Sequence, residues 1–319
     1  MGDATIDHFF FIHDANVACD IDKENCKLIL NFADKLAVDK YEKYTAGNSM
    51  NHAIGSSLLG LNTAYYGVVG KDGGGDEIAL ALTKAGVSTK YLARDAKGPT
   101  NNHAVISFQG ERTILVHHAS RAYKFPSGVK TKWVYLSSVG PKITVPTLHK
   151  QVIAYLKQNP SVKMALNPGT YQMQLELEGL RLLFARTEVL FMNKEEYERV
   201  LGMTGKNVKQ LLMAMYDIGP TVCVLTDGPK GSYVYDGEKF FYLEIFDTPV
   251  IERTGCGDAF GAGFTTAFVY GLGVEEAMRW GTMNSAYTIG KVGPQNGLLK
   301  KAQMLALLKK HKTFRPREI

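Results

Sequence analysis

The stretch Thr254-Gly255-Cys256-Gly257-Asp258-Ala259-Phe260-Gly261-Ala262-Gly263-Phe264 follows an extended segment and opens an apolar, small-residue run from Phe260 to Tyr270. Two glycines one residue apart let a backbone approach a ligand closely. A helix starting there turns its free N–H groups and the positive end of its dipole toward the loop, which stabilises an anion, most simply a phosphate. Asp258 falls in the first turn of that helix, where a carboxylate repels the same anion. It either caps the helix or serves as a general base that takes a proton from an attacking hydroxyl. Spacing alone leaves both roles open. Competing motifs are excluded more sharply. No G-x-x-x-x-G-K-[ST] occurs, so a P-loop is not expected. The spacing of Gly255, Gly257 and Gly261 misses G-x-G-x-x-G by one residue and lies far from the first βα unit, which removes support for a dinucleotide-dependent oxidoreductase.

Working outward, short apolar strands alternate with helices. Ala64 to Val69 reads as a strand ending at Gly70, and Asp76 to Ala85 as a helix stopped by Gly86. Lys132 to Leu136, Val162 to Leu166, Glu188 to Met192 and Thr221 to Thr226 are strand-like. Helices are predicted from Pro146, a permitted first-turn proline, and from Lys194. This rhythm argues for a parallel sheet covered on both faces. Two segments break it. His8 to Ile12 is an apolar run, and Asn102 to Val116 reads as a β-hairpin turning at Gln109-Gly110. Both fit a small antiparallel sheet lying over the main one.

The chain has 319 residues, of which 45% are hydrophobic and 21% charged, enough for one large domain with a real core and too apolar for disorder. No apolar stretch approaches the roughly 20 residues of a membrane span. The opening Met1-Gly2-Asp3 has no basic segment before an apolar one, so no secretory signal is expected. The net charge is +6, but the basic residues are scattered, with clusters only at Lys300-Lys301 and Lys309 to Lys312. Solvated helix faces and an anionic small substrate explain them better than nucleic acid does. Cys19 and Cys26 have no partners that would complete a zinc site, so Cys19, Cys26, Cys223 and Cys256 are expected to be reduced, in a cytoplasmic protein.

Six short motifs, in order, make the chain resemble the ribokinase-like (PfkB) family of carbohydrate and nucleoside kinases. Gly2 to Asp7 matches an early G-x-x-x-x-D, and Ala46-Gly47-Asn48-Ser49-Met50-Asn51-His52-Ala53 resembles the N-terminal signature. Val69-Gly70-Lys71-Asp72, Asn193 to Glu196, and Thr226 to Gly231 match V-G-x-D, N-x-x-E and T-x-G-x-x-G. Glu252 to Asp258 matches the C-terminal signature that ends in G-A-G-D.

The resemblance implies a single three-layer α/β domain over residues 1–319, with a central, mostly parallel sheet flanked by helices. A small antiparallel β-lid would be built from about residues 8–46 and 100–121. It implies an ATP-dependent sugar kinase using Mg²⁺, with Asp258 as the base and the amides of Gly255, Cys256 and Gly257 as an anion hole. Asp7, Gly47, Asn48 and Asn51 would hold the acceptor. Asn193, Thr226, Gly228, Gly231 and Asn284 would face the nucleotide, with Glu196 reaching Mg²⁺ through water. Glu252 falls where relatives bind a monovalent cation such as K⁺, although they commonly carry Asp there. Alternative readings are a nucleoside kinase of the adenosine type, a sugar-phosphate kinase, a synthase or kinase for a vitamin precursor and a non-catalytic binding protein on the same fold. A homodimer through the lid is also implied, and no membrane or nucleic-acid partner.

Departures from the family pattern add expectations. Cys256 replaces the usual Ala and, at a helix N-terminus, is expected to have a lowered thiol pKa. Arg253 either reaches a phosphate or faces solvent. Only Met1 precedes Gly2, so the first strand is shortened or the start lies upstream. Lid residues that would set specificity are Phe9, Phe11, Asn102, His103, Arg112, His117 and His118. Adjacent side chains of a strand point to opposite faces, so at most one of His117 and His118 is expected to face a ligand.

Overall fold

The computed structural model describes residues 1–19 and 26–319. The first part of the chain forms β1 (Thr5–Phe11), β2 (Asn16–Cys19), β3 (Cys26–Ile29), β4 (Lys40–Ala46), α1 (Asn48–Leu58), β5 (Ala64–Gly70), α2 (Gly73–Lys84), β6 (Ser88–Asp95), β7 (Asn101–Phe108) and β8 (Glu111–His117). The α/β alternation then continues through β9 (Trp133–Leu136), α3 (Val145–Gln158), β10 (Lys163–Leu166), α4 (Thr170–Met173), α5 (Glu176–Phe184), β11 (Val189–Asn193), α6 (Lys194–Leu201), α7 (Val208–Tyr216) and β12 (Val222–Thr226). The last part holds β13 (Ser232–Tyr235), β14 (Phe240–Leu243), α8 (Cys256–Val269), α9 (Gly273–Ile289), α10 (Lys301–Lys310) and β15 (Arg317–Glu318).

The main sheet runs β15-β14-β13-β12-β11-β10-β9. Strands β9 to β12 are mutually parallel, and β13 to β15 extend the sheet antiparallel. Its strands read as continuous apolar runs because both faces are covered. Alternate residues of β11 show this directly. Val189 and Phe191 pack with Phe260, Phe264 and Trp280 of α8 and α9, whereas Leu190 and Met192 pack with Leu148, Phe184 and Leu211 of α3, α5 and α7. The fully buried Phe264 contributes about 1.5–3 kcal/mol. Among the described residues no helix is long and apolar enough to cross a membrane.

Strands β5 and β6 form a separate parallel pair. Residues 1–3 lie between β5 and β9 and bond to both. The Met1 amino group donates to Tyr135 O (2.6 Å) and Gly2 N to Tyr66 O (3.1 Å), while Ser137 N donates to Met1 O (3.1 Å) and Asp3 N to Ser138 O (2.8 Å). Beyond Met1 the space between the two strands continues as a cavity of about 620 Å³ lined by Ala64, Tyr66, Trp133, Tyr135, His52 and Thr265. The amino group is buried, and burial lowers its pKa to about 5.

The lid is a four-stranded sheet, β4-β1-β7-β8. It is mixed rather than wholly antiparallel, because β1 pairs with β7 in parallel. Between these two strands the chain passes through β2, β3, β4, α1, β5, α2 and β6, the kind of long crossover that parallel neighbours require. The expected hairpin is present: Gln109 and Gly110 both have positive φ (52° and 84°), as a two-residue turn demands. Asp72 ties the lid to the body. It caps α2 by accepting from Gly75 N (2.9 Å) and accepts from Thr100 N (2.7 Å) just before β7. The expectation of four reduced cysteines is corrected. Cys19 and Cys26 are register partners across the β2–β3 hairpin and form a disulfide, while Cys223 and Cys256 are free.

Candidate active site

The Thr254–Phe264 stretch folds as its glycines require. Gly255 is the N-cap of α8 with φ 78°, and a Cβ there would lie 2.7 Å from Pro294 Cβ. The amides of Cys256, Gly257 and Asp258 form the first turn and have no acceptor within the helix. The Cys256 amide donates instead to Arg253 O at 3.3 Å. A Cβ on Gly257 would meet nothing within 4 Å, so the backbone there borders open space.

Asp258 is buried, and its Oδ2 accepts from Asn51 Nδ2 at 2.8 Å. Asn51 is itself fixed: its Oδ1 accepts from Gln295 Nε2 (2.8 Å), which also donates to Thr45 O (2.9 Å). No side chain caps α8, so the capping role left open for Asp258 is excluded. Burial raises the Asp258 carboxyl to about 6; the Asn51 hydrogen bond opposes the rise, and the charge of Asp7 adds to it. A carboxylate so placed is close to the range that suits a base at neutral pH.

Asp7 is also buried; its Oδ1 accepts from the Thr5 hydroxyl (3.3 Å) and lies 3.2 Å from His103 Nδ1. Gly47 has φ 114°, and a Cβ would stand 2.5 Å from Asp3 O, so only glycine permits the approach of the α1 start to the N-terminal segment. Asn48 is exposed at the start of α1, and its side chain makes no hydrogen bond within the described residues.

The lid candidates separate into groups. Phe9 is 1% exposed and packs edge-to-face on Tyr44, so it belongs to the packing rather than to a ligand surface. His117 is exposed, whereas His118 turns inward to Asp3 (2.9 Å), as alternation along a strand requires. Asn102 bonds His8 (3.2 Å) and Thr100 O. Arg112 crosses from β8 to Glu252 (3.4 Å), and Arg253 pairs with Glu111 of the same strand (3.8 Å). The lid thus meets the loop before α8 through two charge pairs.

Glu252 Oε1 accepts from Thr254 N (2.7 Å) and the Thr254 hydroxyl. Its Oε2 is buried without a hydrogen-bond partner, and is the one atom of this carboxylate left for a further ligand. Cys256 corrects the expected lowering of its thiol: burial, and then the Asp258 charge, push it up, with Arg112 opposing.

Of the residues expected to face a nucleotide, Asn193 and Thr226 are register partners at the ends of β11 and β12. Asn193 Oδ1 accepts from Glu196 N (2.8 Å), and Glu196 Oε2 accepts from Asn193 N (2.9 Å), a capping box at the start of α6. It engages one oxygen of Glu196 and leaves the other without a hydrogen bond among the described residues; burial raises this carboxyl. After Thr226 the chain turns tightly, with Asp227 N donating to Gly231 O (2.9 Å). Gly228 and Gly231 have positive φ, and a Cβ on Gly231 would meet Leu243 O at 2.3 Å. Asn284 lies in the interior, between α8 and α9. It is fully buried, donates to Ala259 O (2.7 Å) and accepts from Leu299 N (2.9 Å), tying α9 to α8.

Sequence reasoning missed Gln295, which locks Asn51, and Asp3, which receives His118. No motif marks either one. Both act through contacts between segments far apart in the chain.

Comparison with known proteins agrees with this geometry. The pattern of the pfkB family of carbohydrate kinases matches residues 9–301. The chain is 25% identical over 274 residues to the ATP-dependent 6-phosphofructokinase of Thermoanaerobacterium thermosaccharolyticum, covering 82% of this chain and 84% of that protein. It is 25% identical over 282 residues to the nucleoside kinase of Methanocaldococcus jannaschii, covering 87% and 89%. The fold matches the crystal structure of that nucleoside kinase with a TM-score of 0.79 at 20% identity, covering 97% of each chain. It matches Arabidopsis thaliana ribokinase complexed with ribose and ATP with a TM-score of 0.78 at 22% identity, again over 97% of each. The chain belongs to the PfkB family of carbohydrate kinases and is a phosphotransferase.

Proposed function

We propose that the protein transfers the γ-phosphoryl group of ATP to a hydroxyl of a small free sugar. The observation that carries this reading is the buried Asp258, held by Asn51 at the N-terminal turn of α8. Asp7, paired with His103, accepts hydrogen bonds from the acceptor's hydroxyls. Asp258 takes the proton of the attacking hydroxyl and, with a carboxyl near 6, is ionised at neutral pH. The amides at Gly255, Cys256 and Gly257 stabilise the charge on the moving phosphoryl group, the Cys256 amide by exchanging its long 3.3 Å bond to Arg253 O for the phosphoryl oxygen; such stabilisation is usually the largest contribution to catalysis of these transfers. The turns at Asn193 and at Thr226 to Gly231 border the nucleotide. Glu196 would hold Mg²⁺ through water, and Mg²⁺ with ATP would neutralise phosphate charge. Glu252 would hold a monovalent cation beside the anion loop.

The relatives' names include a sugar kinase, a nucleoside kinase and a sugar-phosphate kinase. Arg112 on the lid is committed to Glu252, which favours an uncharged acceptor over a sugar phosphate. The test is a phosphoryl-transfer panel with ATP, ADP and GTP as donors and free sugars, sugar phosphates and nucleosides as acceptors. Turnover with ATP and a free sugar is expected; no turnover with any pair would overturn the reading.

A further inference from the structure

The lid grips the entrance of α8 with its two outer strands, and the two grips differ in kind. On the β4 side, Gln295 Nε2 donates to Thr45 O (2.9 Å), and the Tyr44 ring lies on Gly293, where a Cβ would stand 2.7 Å from it. Pro294 is buried and packs on Gly255, so this side belongs to the interior. On the β8 side, two neighbouring residues of the strand meet two neighbouring residues of the loop before α8 in reciprocal charge pairs. Arg112 Nη1 lies 3.4 Å from Glu252 Oε1, and Arg253 Nη1 lies 3.8 Å from Glu111 Oε1. Strand β8 is an edge of the lid sheet and is exposed along its whole length.

The two pairs are unequal. Arg253 and Glu111 are 57% and 81% exposed, so water screens them and they contribute little. Arg112 and Glu252 are 35% and 13% exposed, and Arg112 donates to the carboxylate in a long charge-assisted hydrogen bond. Glu252 is the fixed jaw of this contact. Ile251 N and Glu252 N both donate to Ile289 O (2.8 and 3.1 Å), which anchors the loop to the end of α9. Glu252 Oε1 accepts from Thr254 N (2.7 Å) and from the Thr254 hydroxyl, one residue before the N-cap Gly255. The oxygen that shapes the start of the anion loop is therefore the one that receives Arg112. Arg112 stands opposite Ser107, and Ser107 opposite Phe11, which places Arg112 on the face of the lid that carries Asp7.

We propose that Arg112 and Glu252 are the latch of the lid: the acceptor enters under β8, and the pair then holds the sheet that carries Asp7 against the loop that carries the anion hole. This rests on the acceptor lying between Asp7 and Asp258. Both latch residues are positioning residues, since neither touches the reacting atoms. A partly exposed pair suits a gate, because parting it returns two charges to water at small cost. Opening the β4 side would instead strip Asn51 of its Gln295 partner and uncover Pro294.

The experiment is a double-mutant cycle on Arg112→Ala and Glu252→Gln, with Arg112→Lys as the conservative variant, assayed at fixed salt. The Gln side chain keeps an oxygen for Thr254 N and drops the charge. Each single variant should lower kcat/KM for the acceptor about 5–10-fold, between the loss of an exposed ion pair and that of a buried one, with the KM for ATP unchanged within about 2-fold. The double variant should be no worse than the worse single variant, as coupled residues require. Arg112→Lys should recover most of the loss, because a single N–H contact does not need the planar fork of Arg. Lid position is read without substrates from the distance between spin labels at Leu115→Cys and Lys157→Cys, both exposed, in a Cys256→Ser background. A narrow distribution is expected, broadened by Arg112→Ala. An unchanged kcat/KM in either single variant, additive losses, which would assign Glu252 to another ligand, a parallel loss of ATP binding, or an unchanged distance distribution would each overturn the proposal. Failure of every acceptor to turn over would instead strike the kinase reading, and the distance distribution would still decide the latch.

Discussion

Replacing Asp258 with Asn tests the central claim through two readouts that move in opposite directions. The Asp258 carboxyl is raised from 3.8 to about 6 chiefly because it is buried. Its folded-state value lies above the unfolded one, so its contribution favours folding below about pH 4 and is lost as pH rises through about 6. Above that range the ionised form opposes folding. At about 1.4 kcal/mol per unit, a rise of roughly two units makes the penalty about 3 kcal/mol. The Asn side chain keeps an oxygen for the Asn51 amide (2.8 Å in the parent) and removes the charge. The variant should therefore be more stable than the parent by up to about 3 kcal/mol near pH 8, a rise in Tm of about 4 °C for a chain this long. The gain should vanish near pH 4. Phosphoryl transfer should fall by about 10²–10⁴-fold, because the base is gone. Denaturant unfolding across pH, together with a coupled assay of ADP release, measures both. In the parent, kcat should rise with pH through about 6 and then level. Destabilisation near pH 8, or a stability difference that persists near pH 4, would refute the reasoning.

Gly255→Ala forces a Cβ to 2.7 Å from Pro294 at φ 78°. It should lower stability by about 1–3 kcal/mol and cost more in kcat than in KM, read by thermal melts and steady-state kinetics. Cys256→Ser should keep most activity, because only the backbone amide is required. With its thiol pushed up by burial, Cys256 in the parent should resist alkylating reagents at neutral pH, and rapid inactivation would contradict that.

What could be read from the chain was local. The α/β alternation, the Gln109-Gly110 turn and the glycine loop before α8 are written in contiguous residues, because backbone freedom and side-chain periodicity act over a few positions. The ordered motifs singled out Asn51 and Asp258, which the fold joins by a hydrogen bond, and Asp7, whose charge acts on Asp258. The burial of Asn284 and Phe9 was not legible for the opposite reason. Each sits in a position whose exposure depends on what packs over it, and both turned out buried.

The sequence by itself determined the fold class and the glycine loop that opens α8, since these follow from spacing along one strand or one helix. Only the tertiary structure decided which charges meet. Asn51 and Asp258 are 207 positions apart, and Gln295 locks the first from 244 positions away. The same holds for the raised Asp258 carboxyl, the raised Cys256 thiol and the contact of His118 with Asp3. Desolvation and hydrogen bonding depend on distance in space, and no local pattern records what the rest of the chain brings within a few ångströms.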